Sequence, residues 1–374
     1  MKRILSFVVL SLFFAACKNI HNNAEGPLLL TFENHPLSSL FSDKIFGKIE
    51  MTPLETTDDC LVGAWPQLLL DGHYFFVYDP HQQVILRFDK SGSFMNRIGQ
   101  RGRGPGEYSY INDFHIDPLS NLVELLESGG QIMRYHYNGA FLSSQHYDVN
   151  SYSFIKTGSA YWFNLGIRAL SEEGRLVKIS EDGTVIEHFL PVRTDWRIPF
   201  TDWNFTQCGE RISFKDPLDH TVYRITDEGP VETAVIDFGK YAIHRDAYDR
   251  DLTDVYEEMN ERGWAAIYKF LENDQFVYSL FRVEQDFEPI AFYHWLFNKK
   301  TGNSVLQKLL PNDPLYEMIE GAKGLTANNE LVFMAHTYLL KDCTDPFFNS
   351  VYINRDALSE ESNPIIVSLK IKDF

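Results

Sequence analysis

Cysteine is scarce in this 374-residue chain, which contains only Cys17, Cys60, Cys208 and Cys343. The four lie far apart and form no C-x-x-C pair, so the sequence predicts neither a zinc site nor a disulfide framework. If Cys17 is modified, as argued below, three cysteines remain. They leave room for one disulfide, but we expect three buried thiols.

Positive charge is also in short supply. The chain has 34 Lys and Arg against 52 Asp and Glu, a formal charge of −18. Such a surface repels phosphate backbones, so we expect no nucleic-acid partner. The sequence has no H-E-x-x-H or G-x-S-x-G motif, so we expect neither a cofactor nor nucleophilic catalysis.

The apolar run at the N-terminus is too short to cross a bilayer. Residues 4–16 form a run of 13 residues that is apolar except for Ser6 and Ser11, and Lys2 and Arg3 precede it. A membrane-spanning helix needs about 20 apolar residues. This pattern is typical of a secretory signal, and we expect residues 1–16 to be a signal peptide.

The stretch Phe14-Ala15-Ala16-Cys17 resembles a lipobox, in which the cysteine thiol receives a lipid before cleavage. An ordinary signal peptidase prefers small residues at −1 and −3, and Phe14 would stand at −3. We therefore expect a lipid on Cys17, a polar tether over residues 17–27 and attachment to the outer membrane. Which side of that membrane the protein faces stays open. The alternative is a plain secreted protein in which Cys17 occurs by chance.

An internal repeat organises the rest of the chain. Several segments combine an alternating strand, a polar turn with glycine and a second alternating strand. The turn glycines are spaced 47, 44, 46 and 73 residues apart, at Gly92, Gly139, Gly183, Gly229 and Gly302. A period near 45 matches one four-stranded propeller blade, and the last interval carries roughly 27 extra residues. The pattern therefore indicates an all-β fold.

Laying the strands out on this period gives six blades. The innermost strands are predicted to start near Trp65, Ile111, Ser151, Trp203, Trp264 and Gly321. The sixth unit has strands near 321–326, 331–338 and 364–371 but lacks an outer one. Pairing residues 45–54 with 364–371 would close the ring and remove an exposed sheet edge. We therefore predict a monomeric six-bladed β-propeller over residues 28–374.

The extra residues form a helical insertion at about 240–263. Within 245–262, one helical face is predicted to carry the apolar residues Tyr248, Leu252, Val255, Tyr256 and Met259. Asp246 and Asp249 suit the first turn of this helix, Arg262 its last turn and Gly263 its end. Such a helix could bind a partner or simply decorate the propeller.

Residues 98–117, IGQRGRGPGEYSYINDFHID, resemble the signature of six-bladed propeller lipoproteins common in Bacteroidetes, which are related in fold to NHL and TolB-like propellers. The stretches MTPLET, DFGKYAI and NPIIVSLKIK extend the resemblance over nearly the whole chain. The resemblance implies an envelope lipoprotein and supplies no catalytic residues. Its core is Gly104, Pro105, Gly106, Glu107 and Tyr108. Pro105 interrupts any phosphate-binding pattern there, so we interpret the core as a fixed link between blades.

Some propellers are metal-dependent lactonases or lyases with the metal in the central channel. The comparable positions on the inner strands are Gln67, Asn112, Asp113, His115 and Asn204. Only Asp113 is acidic, whereas Ca²⁺ prefers several charged or carbonyl oxygens. We expect no metal site, and keep such an enzyme as the alternative function. Asn112 and Asp113 would instead bind backbone groups at the start of a strand.

The propeller has two rims with different loops. The glycine turns between outer strands lie on one rim, here named the turn rim, and the links between blades lie on the other, the link rim. The segment 194–205 of the link rim contains Trp196, Arg197 and Trp203. Aromatic rings with polar neighbours suit a sugar site, although they could also fill gaps between blades.

We predict a binding module that recognises a glycan, a peptide or a partner protein on the link rim. Its candidate contacts are Trp196, Arg197 and Trp203, with Asp113 at the mouth of the channel. Loops held by a rigid scaffold are the usual place for such contacts. A second alternative, besides the enzyme, is a structural subunit of an envelope complex.

Overall fold

The computed structural model describes residues 26–166, 174–191, 204–215, 219–243, 247, 250–311, 313, 321–341, 343, 345–349, 359 and 361–374. Strands dominate this part of the chain, and they form six separate sheets arranged as the six blades of a propeller. The predicted fold class is confirmed.

Blades one to five each take four antiparallel strands in chain order, from the inner strand outward. Blade one contains β3 (Gln67–Leu70), β4 (Tyr74–Asp79), β5 (Val84–Asp89) and β6 (Phe94–Ile98). Blade two contains β7 (Ile111–Asp117), β8 (Leu122–Glu127), β9 (Gln131–His136) and β10 (Phe141–His146). Blade three contains β11 (Ser153–Thr157), β12 (Ala160–Asn164), β13 (Leu176–Ser180) and β14 (Val185–Phe189).

Blade four contains β15 (Phe205–Cys208), β16 (Arg211–Lys215), β17 (Thr221–Ile225) and β18 (Pro230–Asp237). Blade five contains β19 (Trp264–Glu272), β20 (Phe276–Glu284), β21 (Ala291–Asn298) and β22 (Ser304–Leu309). Blade six contains β23 (Gly324–Leu325), β24 (Glu330–Ala335), β25 (Ile365–Ile371) and, outermost, β2 (Phe46–Pro53).

The ring closes where the sequence predicts. Strand β2 pairs antiparallel with β25, from Phe46 opposite Ile371 to Pro53 opposite Ile365. Pro53 stands at the end of an outermost strand, where its missing N–H costs no ladder bond. Both ends of the propeller chain therefore share one blade, and blade six is complete only with the N-terminal strand.

The second strand of blade six is shorter than predicted. It ends at Ala335 rather than near residue 338, and helix α2 (Thr337–Lys341) follows directly. The Thr337 hydroxyl lies 3.1 and 3.0 Å from the carbonyl oxygens of Ser359 and Ser362. This contact with a distant segment turns the chain out of the sheet. A further short helix, α3 (Pro346–Asn349), lies in the same excursion.

The N-terminal segment contains a strand that the sequence analysis missed. Strand β1 (Leu28–Thr31) pairs parallel with β18, so the sheet of blade four has five strands. The chain then follows blade five, where the Ser38 amide donates to the Leu306 carbonyl at 2.8 Å. The amide of buried Leu40 donates to Gln307 Oε1 at 2.7 Å. Residues 28–53 thus form a belt across the outer edges of blades four, five and six.

The hydrophobic core is divided among the blade interfaces. Six apolar clusters each combine side chains of two adjacent blades, and together they cover all six interfaces of the ring. The belt adds Leu30 to the cluster between blades four and five, and Phe41 to the one between blades five and six. A seventh cluster lies beneath the insertion. Each blade therefore depends on its two neighbours to bury its faces.

The insertion contains a one-turn 3₁₀ helix (Gly239–Tyr241) and helix α1 (Leu252–Arg262). Helix α1 begins later than predicted, because the Asp251 carboxylate caps it by accepting from the Thr253 amide. Asp246 and Asp249, predicted for its first turn, lie outside the described residues. Arg262 stands in the last turn and Gly263 ends the helix, as predicted.

The buried face of helix α1 is narrower than predicted. Val255 and Met259 are buried on the propeller, but Tyr256 is exposed. Tyr248 lies outside the described residues. The Asp286 amide donates to the Asn260 carbonyl at 2.9 Å, which attaches the helix to a link-rim loop of blade five.

Candidate functional site

A cavity of about 2020 Å³ occupies the central channel and opens into a cleft between blades six and one. The inner strands of all six blades line it. Ordinary small-molecule sites measure roughly 300–1,000 Å³. The cavity can therefore accommodate an oligomeric ligand.

Of the channel positions that the sequence singled out, Gln67, Asp113 and His115 line this cavity. Asn204 has other bonds: its oxygen accepts from Asn164 Nδ2 at 2.7 Å, and its Nδ2 donates to the Lys215 carbonyl. Asn112 Nδ2 lies 3.4 Å from the Ser151 carbonyl oxygen. These two amides join neighbouring blades.

The Asp113 carboxylate accepts two backbone hydrogen bonds. One comes from the Phe114 amide at 2.7 Å, and the other from the Phe154 amide of blade three at 2.8 Å. Asp113 is buried, and burial raises its pKa well above the ordinary value, although the two amides act in the opposite direction. In this geometry Asp113 ties blade two to blade three.

The motif at residues 104–108 forms a tight turn between blades one and two. The Glu107 amide donates to the Gly104 carbonyl, and Gly106 has a φ of +75°, as the third residue of a type II turn requires. The Glu107 carboxylate accepts from the Gly104 amide at 2.7 Å. Glu107 thus closes its own turn.

Tyr108 carries the contact from this turn to blade one. Its ring is buried, and its hydroxyl donates to the Gln83 carbonyl at 3.0 Å. The Gln83 side-chain oxygen accepts from the Ile111 amide at the start of β7. The motif therefore fixes two blades against each other and presents no phosphate-binding loop.

Trp196, Arg197 and Trp203 lie outside the described residues. Their roles as ligand contacts stay predictions.

The described exposed aromatic side chains concentrate on the link rim. Five of the six stand on links between blades or on the loops beside them: Trp65, Tyr110, Tyr256, Phe287 and Tyr338. The sixth, Phe141, lies on the outer strand β10. Exposed aromatic side chains are candidates for ligand contacts, and most of those described stand on this rim, so the link rim is the candidate binding face.

Trp65 is the most informative of these residues, because the sequence did not indicate that its side chain is exposed. The sequence predicts that the inner strand of blade one starts near Trp65, whereas β3 begins two residues later, at Gln67. Trp65 is 65% exposed, lines the mouth of the cavity and has a φ of +59°. A bulky side chain rarely adopts this backbone conformation, although Phe287 of blade five, with a φ of +63°, adopts it too. Position before a strand was its only sequence signal.

No disulfide joins Cys60, Cys208 and Cys343. Cys60 and Cys343 are buried, as expected, whereas Cys208 is half-buried and lines the channel. Among the described residues, no cluster of three His, Cys, Asp or Glu side chains has the arrangement of a metal site. Within the same residues, no helix has the length and hydropathy to cross a membrane.

The raised pKa of Asp113 predicts how its contribution to stability depends on pH. A carboxyl whose folded pKa is raised binds its proton more tightly in the folded state, so its contribution falls as pH rises from about 4. Asp113→Asn removes one acceptor and should destabilise the protein by about 1–2 kcal/mol at pH 4. We expect this difference from wild type to shrink at pH 8, measured by urea unfolding at both values.

Asp89→Asn is a control of opposite sign, because a hydrogen bond from the Ser91 hydroxyl lowers the pKa of Asp89. Its difference from wild type should grow with pH. A difference at Asp113 that also grew with pH would contradict the assignment.

Comparison with known proteins gives a family for the chain and two solved structures with a similar fold. The sequence profile of the Domain of unknown function (DUF4934) matches residues 30–370. A "Putative exported protein" of Bacteroides fragilis shares the fold with a TM-score of 0.75 and 16% identity, over 92% of this chain and all of that one.

A member of the duf4221 family from Bacteroides vulgatus is similar with a TM-score of 0.55 and 11% identity, over 88% of this chain and 98% of that one. At these identities the two structures show the fold alone. No curated protein matches the chain.

The match over residues 30–370 and the six-bladed ring agree in extent, and the chain belongs to the DUF4934 family.

Proposed function

We propose that this protein is an exported, lipid-anchored propeller that binds its ligand on the link rim. The concentration of exposed aromatic side chains on that rim carries the proposal. Aromatic rings provide large contact areas with little loss of conformational entropy, and they are frequent binding hot spots. The ligand classes that suit this surface are glycans, peptides and partner proteins.

The charge of the chain supports the same interpretation. With −18 overall, the protein suits neutral or basic ligands better than nucleic acid or other polyanions. We propose that it acts as a monomer, since a closed propeller leaves only the short edges of its blades unpaired. We also propose that the protein is related in fold to NHL and TolB-like propellers, which the six-bladed ring supports.

The direction of β1 supports a particular orientation at the membrane. Strand β18 runs from the turn rim to the link rim, and β1 is parallel to it. The chain therefore approaches Leu28 from the side of the turn rim. A tether over residues 17–27 reaches at most about 38 Å when fully extended. A lipid on Cys17 would thus favour a turn rim near the membrane and a link rim facing away from it.

Lipid attachment predicts a fractionation result. In cells, the wild-type protein should sediment with the membrane fraction and take up a labelled fatty acid. Cys17→Ser should lose the label and either leave the membrane fraction or accumulate unprocessed. Freely soluble wild-type protein would refute the anchor.

The rim assignment predicts which surface changes weaken binding. On arrays of glycans and peptides, alanine substitution of Trp65, Tyr110, Phe287, Tyr338, Trp196 or Trp203 tests the link rim, and Leu119→Ala tests the turn rim. Leu119 is 97% exposed in a turn of blade two, so its removal should not perturb the fold. At least one link-rim change should weaken binding by about 1–3 kcal/mol, and Leu119→Ala should have no effect. Loss of binding from the turn rim alone would reverse the assignment.

A further inference from the structure

We infer that the cleft between blades six and one binds a neutral oligosaccharide, with Trp65 as the ring on which a sugar stacks. This inference rests on the proposed binding function and assigns it a place and a ligand class.

Trp65 combines exposure with a left-handed backbone, as Phe287 does, and of these two residues only Trp65 lines the cavity. Its side chain is 65% exposed, although it is the largest apolar side chain available. Its backbone is left-handed, with a φ of +59°, which glycine adopts readily and a tryptophan does not. Strain of this kind persists where the surrounding structure imposes it, and it concentrates at binding sites.

The loop that carries Trp65 is held in place by side chains outside it. The Gly63 amide donates to buried Asp79, and the Val62 amide donates to buried Asn363, at 2.7 and 2.8 Å. Gln82 donates to the Leu61 carbonyl at 2.9 Å. The loop therefore presents its ring in a fixed position before any ligand arrives, which lowers the entropic cost of binding.

The segment 336–338, at the start of helix α2, contributes further rings to the lining of the cavity. Tyr338 is 44% exposed, and its ring lies 5.7 Å from that of His336 at an angle of 31°. All three residues, Trp65, His336 and Tyr338, line the same cavity. Thr337, between these two residues, is anchored to Ser359 and Ser362. The cavity lining thus carries aromatic rings on two segments that are each held by hydrogen bonds.

Polar groups line the same cavity as these rings. Hydroxyl, amide and carboxylate side chains are among its lining residues: Thr57, Asp58, Gln82, Glu361 and Ser362. A sugar places its C–H face on an aromatic ring while its hydroxyls need donors and acceptors at the edge. The cleft supplies both, which is the combination that a carbohydrate requires.

The charge and backbone of the cleft narrow the ligand class. Six carboxylate side chains and three lysines line the cavity, so uronic acids and sulfated sugars are disfavoured. Residues 54–66 contain no strand, so this wall offers no sheet edge to which an extended peptide could add. A neutral oligosaccharide fits better than an acidic glycan or a peptide.

The test uses the purified mature protein on an array of neutral hexose and N-acetylhexosamine oligomers, uronic-acid and sulfated oligomers, and peptides. The best neutral oligomer is then titrated by calorimetry. We expect Trp65→Ala to weaken its binding about tenfold or more, and Trp65→Phe to stay within about threefold of wild type. Leu119→Ala, on the turn rim, is the control and should leave it unchanged, and Phe287→Ala is titrated beside it to test the rest of the link rim.

Trp65→Gly separates function from folding. Glycine accepts the left-handed backbone, so this variant should melt at the wild-type temperature or above it and still lose the oligosaccharide. A lower melting temperature for Trp65→Gly would show that the ring supports the fold, and would overturn the inference.

Other outcomes separate this inference from the proposed function. Neutral sugars that bind through Phe287 and not Trp65 would refute the site while leaving the link rim intact. Peptide or acidic-glycan binding through Trp65, without binding of any neutral oligomer, would refute the ligand class. Binding that only Leu119→Ala abolished would overturn both the inference and the proposed rim.

Discussion

Every blade of this propeller buries its two faces against its neighbours, and the rest of the structure depends on that constraint. The apolar clusters lie between blades, and none of the six at the blade interfaces belongs to one blade alone. A gap in the ring would expose two such faces at once. Hydrophobic burial is roughly proportional to the area removed from water, so closure decides the stability of the whole ring.

The chain meets this constraint with its N-terminal belt. Strand β2 completes blade six, and β1 adds to blade four on the way. Between them, Phe32 packs against Phe281 and Tyr293 of blade five, with ring centroids 5.1 and 4.9 Å apart. The segment that closes the ring therefore also holds three successive blades together. The same segment sets the side from which a tether would leave.

A rigid ring leaves the link rim available for recognition. Hydrogen bonds such as those of Asp113, Gln83 and Asn204 connect adjacent blades near the channel, so loops above them are held in defined positions. The exposed tryptophan at position 65 depends on this rigidity, because its loop is pinned by residues of blade one and by Asn363. The hydrogen bonds between blades thus hold the link-rim loops in the positions that ligand binding would use.

Local patterns account for what the sequence predicted. Alternating strands and glycine turns are short-range features, and the turn at Gly139, with a φ of +87°, is one that a glycine suits best. The sixth unit lacked an outer strand in this pattern, and the N-terminal segment that contains β2 was the one unassigned strand that could supply it. Strand β1 was not predicted, because a four-residue parallel pairing with residues more than 200 positions away leaves no local pattern in the sequence. The exposure of Trp65 was not predicted for a similar reason, since its loop is held by hydrogen bonds to Asp79 and to Asn363, which lies about 300 positions away.

The most direct test of the closure mechanism compares two truncated chains, one starting at residue 26 and one starting at residue 55. The first retains the whole belt, and we predict that it melts as a monomer at the temperature of the mature protein. The second lacks β1 and β2, and we predict that it unfolds or aggregates, because it exposes the edge of β25 and the apolar faces that the belt covers. A chain starting at residue 55 that melted cooperatively as a monomer at the same temperature would contradict the account.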